Sequence, residues 1–220
     1  MSKVMKSVFA ISFLAMMIAL GWSGTQLAAA KGPSGFQRET VHWHPQTGSV
    51  EAVQGARATL LRTNGGVSGM LHARELNPGH VYTMWWVIVN NPEACAAHPE
   101  PCTPADILGN TDGVQADVTY GDGIVAGGSG KGTLSGHIRV GTLANPWFGN
   151  GLQSARDAEI HLVVNDHGPV VTYLLGDMLH TYRGGCTDES LPLPFPDTAK
   201  SDGPAGPNTC LLYQDAVFQP

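Results

Sequence analysis

Residues 80–89, HVYTMWWVIV, constrain the fold more than any other stretch, because apolar side chains occupy positions of both parities. Successive side chains of a strand point to opposite faces. The run therefore needs apolar cover on both sides and reads as a central, doubly covered strand. The rest of the chain is rich in turn formers, with 28 Gly and 15 Pro, and only 14% of it is charged. That mixture suits short strands joined by tight turns.

The neighbouring segments agree. Residues 31–40 read as an unstructured lead-in, and 40–44 as a short strand ended by Pro45. Residues 57–63 and 67–76 form a pair joined at Asn64-Gly65-Gly66, a hairpin signal. Asn77-Pro78-Gly79 then turns the chain into the central run. A one-turn helix is expected at 104–108, and strands at 115–120 and 123–126 on either side of Gly121-Asp122-Gly123. Residues 131–140 alternate, with Lys131, Thr133, Ser135, His137 and Arg139 on one face and Leu134, Ile138 and Val140 on the other. Residues 159–165 do the same, with Ile160, Leu162 and Val164 inward; a loop with a short helix covers 170–181, and 211–218 supplies a last strand. About eight strands with almost no helical periodicity give an all-β, antiparallel β-sandwich.

The first thirty residues set the expected address. Lys3 and Lys6 precede an apolar run over 8–20, and Leu27-Ala28-Ala29-Ala30 closes with an A-x-A pattern before Lys31. This is the pattern of a cleaved Sec-type signal peptide, too short for a stable membrane span. Residues 31–220 are then a single domain in the periplasm or the medium, without a stable membrane anchor. They keep ten Lys+Arg against eighteen Asp+Glu, a formal charge of −8. No basic patch stands out along the chain, which excludes nucleic acid and anionic membranes as expected partners. In an oxidising compartment Cys95, Cys102, Cys186 and Cys210 can pair. Three pairings are open, and the expected one is 95–102 with 186–210, each stapling a long loop locally. Zinc on all four is excluded by spacing, since the gaps of six and twenty-three residues do not fit C-x2–4-C.

Two resemblances add to this. Residues 69–83, GMLHARELNPGHVYT, resemble the strand–turn–strand of CHRD domains, which are secreted β-sandwiches. A CHRD domain would place a His-x-His after the Tyr, where this chain has Met84-Trp85-Trp86. Three segments, 85–95 (WWVIVNNPEAC), 127–132 (GGSGKG) and 159–169 (EIHLVVNDHGP), resemble a group of secreted bacterial proteins. The resemblances imply an immunoglobulin- or CHRD-like sandwich and an extracytoplasmic address. They imply no activity.

Chemistry falls to the histidines. His42 and His44 lie two apart, so in a strand they share a face with Cα atoms roughly 6.6 Å apart, and two imidazoles so placed can reach one zinc or copper ion. His161 or His167 would be the third ligand, with Asp166 as ligand or support. The alternative is a pair of partly exposed edge-strand histidines. His72, His137 and His161 each fall on the more polar face of a strand and would cluster if those strands were neighbours. Asp166-His167 does not make a dyad, because adjacent strand residues face apart, and no G-x-S-x-G elbow or free thiol supplies a nucleophile. Asp106, Asp112, Asp117 and Asp122 do not follow calcium-loop spacing and read as turn residues. The segment 127–132 reads as a flexible hairpin connection, not a phosphate loop. Trp85 and Trp86 are expected on opposite faces, in two layers of core. Trp43 and Trp147, with Phe148, are the candidates for an exposed aromatic platform, against the favoured alternative of core or loop-anchoring duty.

The leading expectation is a secreted, non-catalytic binding or structural protein of unknown ligand, with a glycan or a protein as candidates, and with no cofactor. The alternative is a copper- or zinc-binding metalloprotein, in one form a redox enzyme, built on His42, His44, His161 and His167.

Overall fold

The computed structural model describes residues 35–191 and 195–220; the signal peptide expected over residues 1–30 lies outside the described residues. Among the described residues the strands are β1 (Phe36–Glu39), β2 (His42–Trp43), β3 (Arg57–Thr63), β4 (Gly66–Ala73), β5 (His80–Val89), β6 (Ala116–Val125), β7 (Gly132–Arg139), β8 (Glu159–Pro169) and β9 (Leu211–Phe218). They build two antiparallel sheets, a four-stranded sheet A in the order β1-β3-β4-β7 and a five-stranded sheet B in the order β2-β9-β8-β5-β6. The protein is an all-β antiparallel sandwich.

The expected alternation sets the inner core. Leu60, Leu71 and Leu134 of sheet A meet Tyr82, Met84, Trp86, Ile88, Ile160, Leu162 and Phe218 of sheet B, all buried. Trp86 fits because sheet A is thin where it enters: Gly69 and Gly136 are directly paired across β4 and β7. A methyl group on Gly69 would lie 2.6 Å from Trp86 Cη2, and one on Gly136 would lie 3.0 Å from Trp86 Nε1. At one end of the core Arg62 closes the sandwich. Its guanidinium is buried and donates to the carbonyls of Ala155, Ala158 and Phe218 at 2.7–2.9 Å and to Gln37 Oε1 at 2.6 Å.

Several expectations are corrected. The lead-in is partly strand, since Phe36–Glu39 pairs with Leu61–Ala58 of β3, and the short strand after it is reduced to two residues. The Gly121-Asp122-Gly123 turn is a bulge inside one continuous strand. Tyr120 pairs with Trp85 and Asp122 with Met84, which leaves Gly121 unpaired. A methyl group there would meet Trp86 Nε1 at 2.8 Å, so this glycine serves close packing and not a reversal. Residues 127–132 are no hairpin, because β6 and β7 belong to different sheets. Asp117 and Asp122 are strand residues: Asp117 is buried and accepts from Gly151 N–H and Asn90 Nδ2, while Asp122 accepts from Ser135 N–H. Asp106 caps the helix α1 (Pro104–Gly109), where Thr103 and Asp106 form a reciprocal capping box. That helix and the helix α2 (Thr111–Val114), with α3 (Leu175–His180) and α4 (Asp197–Ser201), lie in the loops.

The Gly69–Trp86 contact predicts a coupled pair. Gly69→Ala should destabilise the fold by about 1–3 kcal/mol through overpacking, and adding Trp86→Phe should recover part of that loss by removing the clashing ring. A double-mutant cycle by urea unfolding reads the coupling; simple additivity would contradict the packing described.

Candidate functional site

The second face of sheet B carries what the sandwich alone leaves uncovered. Trp85, Val87 and Val89 of β5 point away from the inner core, as do Val163 of β8 and Leu212 of β9. The loops form a third layer over them. Cys95–Cys102 and Cys186–Cys210 are disulfide-bonded, as expected, with Cα separations of 5.4 Å in each. The first holds the α1–α2 loop, where Ile107 and Val114 pack on Val89 and Ala116. The second lies in an aromatic layer of Trp85, Trp147, Tyr182 and Phe195. Trp85 and Trp147 have ring centroids 4.7 Å apart, and Trp147 and Tyr182 4.2 Å. The two tryptophans of β5 thus enter two layers, as the strand parity requires.

Between these two covers lies a cavity of about 500 Å³. Its floor is Val87, Val163, Leu212 and Val217; the aromatic layer forms one wall, and Pro104, Ile107 and Leu108 form the other. The polar side chains of its lining include His44, Gln46, His161, Tyr182 and Asp215, and no Lys or Arg is among the lining residues. The strands place His44, His161 and Asp215. Val163 pairs with Asp215 and His161 with Val217, so His161 and Asp215 are diagonal neighbours on one face. His42 pairs with Asp215 from β2, and His44 follows at the end of that strand.

Each polar group has a defined role. Glu159 is buried and its Oε1 accepts from Cys102 N–H at 2.8 Å and from His161 Nε2–H at 2.7 Å. That fixes the ring, and in the neutral imidazole Nδ1 is left as an acceptor toward the cavity. Glu159 itself borders a separate polar cleft with Asn90, Glu93 and Asp157. His44 Nδ1 accepts from Gln46 N–H at 3.3 Å, which puts the proton on Nε2. Burial holds His44 neutral by pushing its pKa down to about 4. Asp215 has no hydrogen-bond partner among the described residues. Burial pushes its carboxyl up to about 6, against the opposing pull of His161 and His42.

The metal ligands expected from sequence are not brought to one point. Among the described residues, the one set of three or more His, Cys, Asp and Glu side chains with ligand atoms within 4.8 Å is His167, Cys186 and Cys210, and its two sulfurs are in a disulfide. His42 is exposed, with Nδ1 3.1 Å from Val50 O. His167 is fully buried in a closed network: Trp85 Nε1–H donates to Thr83 Oγ1 at 2.8 Å, Thr83 donates to His167 Nε2 at 2.8 Å, and His167 Nδ1–H donates to Gly184 O at 2.8 Å. Burial pushes the His167 pKa down to about 4. With both nitrogens engaged it is a structural residue. Asp166 faces away from it, as neighbours in a strand must, toward His80 Nδ1 at 3.0 Å and Gly168 N–H at 2.7 Å.

Other expectations also change. His72 and His137 share the exposed face of sheet A, where each bonds a hydroxyl across the strand, Thr133 Oγ1 and Ser68 Oγ; His161 belongs to sheet B and does not join them. Trp147 has the core duty that is the alternative to an exposed platform. It is 8% exposed, and the aromatic layer covers it. Trp43 packs edge-on against Tyr213 at 5.0 Å. Sequence reasoning missed Glu159 and Asp215. The first had a signal, because Glu159 and His161 are two apart and so share a face, the same logic that singled out His42 and His44.

Asp215 yields a stability prediction. Its folded pKa lies above the ordinary aspartate value, so between about pH 4 and pH 6 the folded protein holds a proton that the unfolded chain has lost. The carboxylate therefore costs stability above about pH 6, on the order of 1–3 kcal/mol for a two-unit shift, and the cost vanishes below about pH 4. Asp215→Asn should stabilise the protein at pH 8 and change little at pH 4, as read by urea unfolding at both values. Compared with known proteins, the chain matches no family model, no curated protein and no solved structure.

Proposed function

We propose that the protein is an extracytoplasmic, non-catalytic binding protein for a small, mostly apolar molecule, held in the cavity over the second face of sheet B. The observation that carries this reading is the cavity itself. It has about 500 Å³, within the 300–1,000 Å³ of small-molecule sites, and it combines apolar walls with a few convergent polar groups. The two disulfides indicate an oxidising compartment, and the signal-peptide pattern of residues 1–30 supports export to the periplasm or medium. The reading takes a small molecule in preference to a glycan or protein contact through Trp147, because Trp147 is packed inside.

The test is binding of Nile red, a neutral apolar dye. One dye per protein should bind with enhanced emission, and Val163→Trp, which fills the cavity from its floor, should weaken binding at least about tenfold while the protein stays folded by circular dichroism. Equal binding by the variant, or none by the wild type, overturns the reading.

A further inference from the structure

We infer that the ligand of this cavity is an apolar amine, bound as its ammonium by Asp215 and His161; the inference rests on reading the cavity as a ligand site and names its ligand class. The cavity lining presents the polar groups of Asp215, His161 and His44, with Gln46 and Tyr182 beside them. Asp215 offers two carboxylate oxygens with no hydrogen-bond partner among the described residues. His161 offers Nδ1, since Nε2 is committed to Glu159 Oε1 at 2.7 Å. His44 offers one donor, Nε2–H, because Nδ1 accepts from Gln46 N–H. Gln46, whose Oε1 accepts from Leu212 N–H, and Tyr182 add donors to the lining, so what singles out the ligand is charge: the Asp215 carboxylate is the unpaired one, and its open oxygens call for a donor from the ligand.

Charge narrows the class further. No Lys or Arg lines the cavity, and a second carboxyl, Glu159, stands directly behind His161. A fatty acid or another carboxylate would set its charge beside Asp215 with no cation to receive it. A purely apolar molecule would leave the Asp215 carboxylate desolvated and unpaired, the costliest state for such a group. A protonated amine meets both conditions. Its N–H groups satisfy the acceptors and its charge pairs with Asp215, while the apolar body lies along Val87, Val163 and Trp147. The same logic explains why His161 is oriented by Glu159: the pairing holds the ring with its lone pair toward the cavity.

Three probes with one apolar body test the inference: phenylbutylamine, phenylbutanol and phenylbutyrate, titrated by calorimetry at pH 7.5 against the wild type and Asp215→Asn. The amine should bind the wild type at least about tenfold more tightly than either of the others. Asp215→Asn should remove that preference and leave the alcohol within about threefold, which also shows that the variant is folded. An amine no tighter than the alcohol, or a preference unchanged in Asp215→Asn, overturns the ligand class even where Nile red still binds. Failure of all three probes together with Nile red overturns the cavity reading itself.

Discussion

Everything outside the sandwich follows from the second face of sheet B. Trp85, Val87 and Val89 point away from the inner core while their neighbours point into it. A strand with large apolar side chains on both faces cannot be left half in water, since each such side chain gains about 1.5–3 kcal/mol by burial. Two sheets cover one face; a third layer has to cover the other. The chain builds that layer from loops, which have no ladder of their own to hold them in place. The disulfides substitute for the ladder. The 186–210 bond spans 24 residues, and closing a loop of that length removes about 3 kcal/mol of unfolded-chain entropy. Within the layer, Asp117 and Glu159 tie loop backbone to the sheet by accepting from Gly151 and Cys102 N–H.

The two sides of sheet B are packed by different means. Between the sheets, regular strands meet with fixed register, and the fit is close enough that Gly69, Gly121 and Gly136 are all required beside one tryptophan. Over the outer face, two separately stapled covers come down at different places. One is anchored on Val89 and Ala116, the other on Trp85 and Val118. The gap between them, over Val87 and Val163, is the cavity. The cavity we propose as the binding site thus lies where regular packing gives way to loops, on a floor formed by the sandwich.

Much of this was legible in the sequence because it depends on local parity. The doubly covered β5, the inward set Ile160, Leu162 and Val164, the opposite placement of Trp85 and Trp86 and both disulfides all follow from neighbours along the chain. What was not legible depends on which strands lie side by side. His42 and His44 do share a face, but His161 reaches the cavity two strands from them, across β9 with Asp215 between. Nothing along the chain signals that loops bury His161, since a third layer of irregular backbone has no period to read; for Trp147 the Pro146 and Gly149 context left core or loop-anchoring duty as the alternative to an exposed platform. Gly121 was mistaken for a turn because its role, room for Trp86, is set by a residue on the adjacent strand.

Asp215 and His167 show how burial can be turned into a functional distinction. Both carry pKa values displaced by burial, and a displaced value alone marks a functional site only as one option among several. The difference is in the partners. His167 has a donor at Nε2 and an acceptor for Nδ1–H, all within the protein, so its environment is complete and its neutrality costs the fold little beyond acid sensitivity. Asp215 sits over an apolar floor with its acceptors open, and an amide in its place would remove the desolvated charge. A group that keeps a stability cost without an internal partner is the pattern of a site that gives up stability for binding. On the proposed reading the ligand supplies the missing partner, and the sign of the Asp215 charge says which kind.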